Sequence, residues 1–339
     1  MTALFNVALP LLLTFAPAGC KSSESGQEPL IVPNERAETN TAVEDTAATA
    51  PKRIALIMKT LTNPFFVTME KGAHRAEREL GIELLVRTHG DETAIEQQIA
   101  IVKKAIADKV DAIVIVPGHS TEMIPVVKEA QDAGIKLVNV DNRLNPETAS
   151  EWGLGDVPFV GVDNTQGAKL AAEHLVSQLD KPAEVAIIEG DPAAQTSKDR
   201  KLGALEAFEA SEGVEVAAIE TAYWKIDEAY RVARRLFEEH PDIRGIFCAN
   251  DIMALGVIRY LEEADKLTDV LVAGYDNIGE AQDAIREGTM LATIDQRADE
   301  QGYIGVQHAV RALAGEKLPP ETFIDVALVT STSLKGAEQ

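Results

Sequence analysis

A chain of 339 residues is longer than one hydrophobic core usually serves, so two domains of ordinary size with some extra chain is the expectation. A composition of 45% hydrophobic, 26% charged and 5% aromatic residues is that of a chain that folds in water, neither disordered throughout nor embedded in a bilayer. The formal charge of −23 repels phosphate backbones and anionic headgroups, which excludes nucleic acid and a peripheral membrane surface as partners.

The first segment differs from everything after it. Residues 1–19 hold no charged side chain, and Leu4 to Leu13 is a short apolar run broken by Pro10. A spanning helix needs about 20 apolar residues, so the run reads as a signal peptide. Ala16-Pro17-Ala18-Gly19 then lead to Cys20, which resembles the lipobox of bacterial lipoproteins, although a basic leader is missing and Pro17 stands where an aliphatic residue is usual. Acylation at Cys20 would make an anchor the chain's one contact with a membrane and place the protein outside the cytoplasm, periplasmic or at the cell surface. An ordinary signal with an incidental cysteine is the other reading. Residues 20–51, rich in Ser, Thr, Ala, Glu, Asn and Pro, read as a tether behind that anchor. Cys248, the second of two cysteines, is then left without a partner, so neither a disulfide framework nor a thiolate cluster is expected. The six histidines are scattered without metal-ligand spacing, and no metal or cofactor is expected.

From Pro51 a rhythm of short apolar run, polar turn and helical segment begins. Strands are predicted at Ile54–Met58, Ile82–Val86, Ala112–Val116, Leu137–Val140 and Phe159–Val162, then at Val185–Ile188, Val214–Ile219, Ile243–Cys248, Val270–Ala273 and Leu291–Ile294. Most are too continuous to leave a wet face, as expected of parallel strands covered on both sides. Between them lie amphipathic helices; Ile95, Ile99, Val102 and Ile106 fall on one helical face. The alternation predicts an α/β fold of two doubly wound parallel-sheet lobes, and the aperiodic stretch Leu144 to Pro158 reads as the join between them.

Ligands of open parallel sheets bind beyond the carboxyl ends of the strands. There the sequence places Lys59 and Asn63-Pro64-Phe65-Phe66, then Asp141-Asn142-Arg143, Glu189-Gly190-Asp191 with Lys198, Asp199 and Arg200 following, Tyr223-Trp224, Asn250-Asp251, Tyr275-Asp276 and Gln296. Taken singly, each has a structural reading: Asn and Asp form turns and cap helices, and a tryptophan can fill a core. Taken together they are planar hydrogen-bonding groups beside aromatic rings. That set suits a neutral polyhydroxyl ligand, whose C–H faces stack on rings while its hydroxyls meet carboxylate, amide and guanidinium.

At these residues the chain resembles the ribose-type periplasmic sugar-binding proteins that feed ABC importers, most closely the D-allose-binding branch. The resemblance runs from Lys52 to Thr332 and is carried by Leu56 to Phe66, Leu137 to Asp141, Val185 to Gly190, Cys248 to Gly256 and Ala292 to Gln296. It implies the type I periplasmic binding protein fold: two lobes joined by three crossing strands near Val162-Asp163, Gln296-Arg297 and Ile324-Asp325. The N-terminal lobe would comprise residues 52–162 plus 297–324 and the C-terminal lobe 163–296 plus 325–335. It further implies that Lys59, Asn63, Asp141, Arg200, Trp224, Asn250, Asp276 and Gln296 contact the sugar, with Phe65 and Phe66 as the aromatic positions of the first loop. Asn142 stands where ribose-type proteins carry arginine, and Asp295 replaces a small apolar residue; both leave the identity of the sugar open.

The function so implied is the monomeric solute-binding subunit of an ABC importer, which takes a monosaccharide between its lobes and hands it to a permease. A sensor subunit for a chemoreceptor or kinase, and a binder of a polyol in place of a sugar, are the alternatives. An enzyme is not expected. GxGxxG, Walker A and GxSxG are absent from the sequence, and Lys59 and Arg200 are expected to hold Asp141 and Asp276 ionised, leaving no proton donor for glycoside hydrolysis.

Overall fold

A computed structural model describes residues 50–337. The expected signal peptide, Cys20 and all but the last two residues of the tether lie outside the described residues. In chain order the first half runs β1 (Arg53–Ile57), α1 (Pro64–Leu80), β2 (Glu83–Arg87), α2 (Ile95–Ala107), β3 (Ala112–Ile115), α3 (Ile124–Asp132), β4 (Lys136–Val140), α4 (Pro146–Glu151) and β5 (Phe159–Val162). The second half runs α5 (Asn164–Ser177), β6 (Ala183–Glu189), α6 (Gln195–Glu209), β7 (Val214–Thr221), α7 (Ile226–Glu239), β8 (Ile243–Cys248), α8 (Asp251–Glu263), β9 (Leu271–Ala273), α9 (Gly279–Glu287) and β10 (Ala292–Asp295). The chain closes with α10 (Ala298–Leu313), β11 (Glu321–Ile324), β12 (Ala327–Thr330) and α11 (Ser331–Ala337).

Two six-stranded sheets result, in the orders β11-β5-β4-β3-β1-β2 and β12-β10-β9-β8-β6-β7. The fold is α/β with two doubly wound lobes, and all ten strands expected from the apolar runs are present with ends within two residues. Three points differ from expectation. β12 runs antiparallel to β10, so the second sheet is mixed at that edge. The stretch Leu144 to Pro158 does not join the halves: it holds α4 and returns the chain to β5 in the same sheet. β7 is half-buried along its length, because it is an edge strand with a partner on one side only.

Local chemistry sets these elements. α1 starts where the Asn63 side chain accepts from the Phe65 amide, with Pro64 in the first turn, and stops at Gly81 in the left-handed conformation. In α7 the buried residues Ala229, Val232, Ala233, Leu236 and Phe237 recur at i, i+3, i+4, i+7 and i+8, a single apolar stripe. Along β1 the alternation is internal: Ile54 and Leu56 join the large core shared with the second half, while Ala55 and Ile57 join a separate core under α2 and α3. Gly72 and Gly302 let α1 and α10 touch backbone to backbone, since a Cβ on Gly72 would fall 1.8 Å from the Asp299 carbonyl oxygen. That contact seats α10 against α1 and returns the chain to the first sheet, where β11 pairs with β5.

In each sheet the strand order reverses between two neighbours, β1 and β3 in the first and β6 and β8 in the second. A crevice opens at such a switch point because the flanking connections leave on opposite faces.

Candidate functional site

One cavity of about 250 Å³, counting the part open to solvent, is walled from both sides. The first sheet contributes Lys59, Asn63, Phe65, Phe66, Glu92 and Asp141; the second contributes Thr196, Arg200, Trp224, Asn250, Asp276 and Gln296. All ten residues singled out in the sequence thus lie around a single space. Two more, Glu92 and Thr196, were not expected. Glu92 carried the same signal as the others, for it sits in the loop just past the end of β2.

On the first side, helix capping decides orientation. With its Oδ1 accepting from the Phe65 amide at 3.0 Å, Asn63 is left with its Nδ2 to donate to Glu92 Oε1 at 3.1 Å. Lys59, 3% exposed, holds its Nζ 3.9 Å from Glu92 and 3.7 Å from Asp141, and 5.5 Å and 5.8 Å from the ring centres of Phe66 and Trp224. Those two rings belong to different sheets, so Lys59 marks where the walls meet. Phe65 braces Phe66 edge to face at 5.1 Å.

On the second side, Arg200 gathers the strand ends. Its Nε donates to Asn164 Oδ1 at 2.8 Å, Nη1 to the Ala249 carbonyl at 2.9 Å and to Asp276 Oδ1 at 3.5 Å, and Nη2 to Gln296 Oε1 at 3.2 Å. Its guanidinium carbon lies over the Tyr275 ring, 3.9 Å from the ring centre. Gln296 completes the set by donating to Asp276 Oδ1 at 2.6 Å. Asn250 caps α8 by accepting from the Met253 amide, much as Asn63 does for α1. Trp224 is 7% exposed and belongs to the core as well as to the cavity. Gly190 makes room for it: a Cβ there would sit 2.2 Å from the indole.

Backbone strain is concentrated here. Among the described residues eight non-glycine positions have positive φ, and six of them border the cavity or a crossing of the chain: Asp141, Tyr223, Trp224, Asp276, Asn277 and Arg297. Such conformations cost free energy and persist where the surroundings enforce them, which happens most often at binding sites.

The charges do not balance. Lys59 and Arg200 face Glu92, Asp141 and Asp276, an excess of one carboxylate if all are ionised. Burial pushes the Asp276 carboxyl well above its usual range, with Arg200 opposing and the charges of Asp251, Glu92 and Asp141 adding to the rise. This corrects the expectation that Arg200 would hold Asp276 ionised: the cost of desolvation outweighs the guanidinium. Burial raises Glu92 too, against Lys59 and the Asn63 amide. A site so composed suits neutral ligands rich in hydroxyls, which can donate to a carboxylate or accept from a carboxylic acid. At the mouth, Lys225 pairs with Asp91 at 2.9 Å across the walls, and the Thr93 hydroxyl and then Lys225 pull the Asp91 carboxyl down to about 2. Both partners are 44% exposed, so the pair contributes little to stability.

Comparison with known proteins agrees with this geometry. A D-ribose/D-allose-binding protein of Pseudomonas aeruginosa is 41% identical over 287 residues, covering 84% of this chain and 89% of its own. A periplasmic solute-binding protein of an ABC transporter from Actinobacillus succinogenes, solved with bound D-allose, superimposes with a TM-score of 0.79 at 36% identity, over 84% of this chain and 99% of its own. A solute-binding protein from Bacillus halodurans, solved with bound myo-inositol, superimposes with a TM-score of 0.77 at 28% identity, over 86% and 99%. The resemblance read from the sequence therefore holds, and with the periplasmic binding protein domain matched over residues 54–317, the chain belongs to that family and sits among its ABC-type sugar-binding members.

Proposed function

We propose that the protein binds one neutral monosaccharide in the cavity between its sheets, closes on it and presents it to the permease of an ABC importer. The observation that carries this reading is the cavity itself, walled by two aromatic rings from opposite sheets and by carboxylate, amide and guanidinium groups set around them. A ligand held by both walls prefers the closed form, and that differential contact drives closure. Lys59, Asn63, Phe65, Phe66 and Asp141 are the contacts proposed on one side; Arg200, Trp224, Asn250, Asp276 and Gln296 are those on the other. The reading is of a carrier without catalytic activity, which the likeness to sugar-binding transport proteins supports. Both walls come from one chain, which supports a monomer. The likeness to a protein solved with myo-inositol supports a polyol as the second choice of ligand.

A thermal-shift screen over pentoses, hexoses including allose, alditols and inositols tests this. The right compound at 100 times its dissociation constant should add about 2.7 kcal/mol to stability, a rise of several degrees in melting temperature. A flat response to every member of the panel would reject the reading.

We further propose that the protein is exported and held at the membrane by acylation at Cys20. Gly19-Cys20 behind an apolar run and ahead of a polar tether supports this. In cells fed a fatty-acid analogue, the wild-type protein should take up label and Cys20→Ala should not; label on both would reject the anchor.

A further inference from the structure

α6, the helix that carries Arg200, has no cap of its own. Its first flanking residue, Ala194, has the extended backbone of a cap (φ −88°, ψ 134°) but no side-chain oxygen for the free amides of the first turn. Those amides are met from the opposite sheet. Gln195 N donates to Ser120 Oγ at 2.9 Å, and Thr196 N donates to Asn142 Oδ1 at 3.2 Å. Ser120 lies between β3 and α3, and Asn142 follows β4. The Ser120 amide also donates to the Ala193 carbonyl at 3.3 Å, and its hydroxyl to Asn142 Oδ1 at 3.4 Å. Both residues are buried and fixed where they stand: Asn142 Nδ2 donates to the Pro117 carbonyl at 2.8 Å, and the Ser120 carbonyl accepts from the Asn145 amide at 2.8 Å. Neither lines the cavity.

We propose that Ser120 and Asn142 are positioning residues for ligand capture, which act by capping α6 across the cleft. The proposal rests on the reading of the cavity as a binding cleft that closes. Parting of the walls leaves the first turn of α6 to water; their approach completes the helix and sets Arg200 against the ligand. The caps exist in the closed form only, so they shift the open–closed equilibrium without touching the ligand, and affinity rises by the same factor. Asn142 thus has a role in place of the arginine expected of ribose-type proteins: it addresses the opposite helix and not the sugar.

Three variants and one combination test the proposal, using a compound that shifts wild-type melting in the sugar and polyol panel. Ser120→Ala removes the cap on the Gln195 amide and should weaken binding about fivefold, chiefly through faster release, with the melting temperature of the unliganded protein unchanged. Ala194→Ser supplies, from within the helix, an acceptor for the Thr196 or Ser197 amide and makes the cross-cleft cap from Asn142 redundant. In that background Asn142→Ala should therefore cost affinity less than it does in wild type, a coupling that a general packing role would not produce. Equal affinity of Ser120→Ala and wild type, or an equal loss from Asn142→Ala in both backgrounds, would overturn the proposal while leaving the cleft a binding site. A wild-type protein that responds to no compound in the panel would instead remove the binding reading, and this proposal with it.

Discussion

Replacing Arg200 by methionine should weaken ligand binding by more than 100-fold and destabilise the unliganded protein by about 3 kcal/mol or more, since each buried acceptor left without its donor costs about 1–3 kcal/mol. The side chain is 3% exposed and donates to four residues that come from different parts of the chain: Asn164 at the start of α5, Ala249 after β8, Asp276 after β9 and Gln296 after β10. Methionine fills much of the volume and keeps a surface against Tyr275, so the loss lies in four acceptors left facing apolar surroundings. The deficit should depend on pH. Arg200 is what opposes the upward drift of the buried Asp276 carboxyl, so in the variant Asp276 takes a proton more readily and is less costly to bury at pH 5 than at pH 8. Calorimetric titration and thermal melting at the two pH values read both effects. A variant that melts with wild type at pH 8, or that binds within tenfold, would contradict this account.

The second large effect concerns Asp251, a group the ligand never touches. It is fully buried behind Asp276; its Oδ1 accepts from Thr293 Oγ1 at 2.7 Å and its Oδ2 from the Ile278 amide at 3.0 Å, while its own amide donates to the Tyr275 carbonyl at 2.8 Å. These bonds hold the loop that carries Asp276 into the cavity, including the strained Asp276-Asn277 pair. Burial raises the carboxyl from 3.8 to about 6 despite the hydrogen bonds that lower it. The folded state therefore binds this proton more tightly than the unfolded chain. Its stabilising contribution is complete below pH 3.8 and is lost as pH rises through about 6, by roughly 3 kcal/mol in all. Against Asp251→Asn, wild type should lose ground by about that amount between pH 3.5 and pH 7.5 in denaturant melts. His89, His174 and His308, lowered by burial, act in the opposite sense near their ordinary range, but they are present in both proteins and drop out of the difference. Because the charge of Asp251 also raises Asp276, the difference reports on the two carboxyls together. A gap that stays constant with pH would show that neither is raised.

The fold was largely legible because its signal is local. Buried parallel strands leave continuous apolar runs, and ten of these appear unmistakably between helical stretches. β11 and β12 escaped the pattern for the same reason: Glu321–Ile324 and Ala327–Thr330 are short, half-exposed edge strands with mixed polarity, and only the family resemblance located the crossing between them. The stretch Leu144 to Pro158 reads as a join because it shows no period; α4 is six residues long and contributes no buried side chain, so it carries no apolar stripe. For the cavity, the rule of strand ends offers a longer list of polar and aromatic candidates, from which the family resemblance picks the ten that line it; Glu92, just past β2, obeys the same rule. Two features could not be read that way. The raised carboxyls depend on how completely the two walls exclude water, and the caps of α6 come from residues 54 and 75 positions away along the chain.

The last forty or so residues have a consequence for how this molecule comes into being. After β10 the chain goes back to seat α10 against α1 and to lay β11 beside β5, then crosses again to lay β12 beside β10. A polypeptide that has emerged only as far as Gln296 therefore contains neither sheet in full: the first lacks its outermost strand and the helix that covers it, and the second lacks an edge. Neither half can finish early and wait for the other, as successive domains on a nascent chain usually do. Closing contacts between segments so far apart is also slow, since the entropy of the long loops must be overcome first. A chain that must pass through a membrane pore before it folds gains from such an order of assembly, because its translocation-competent state outlasts its synthesis.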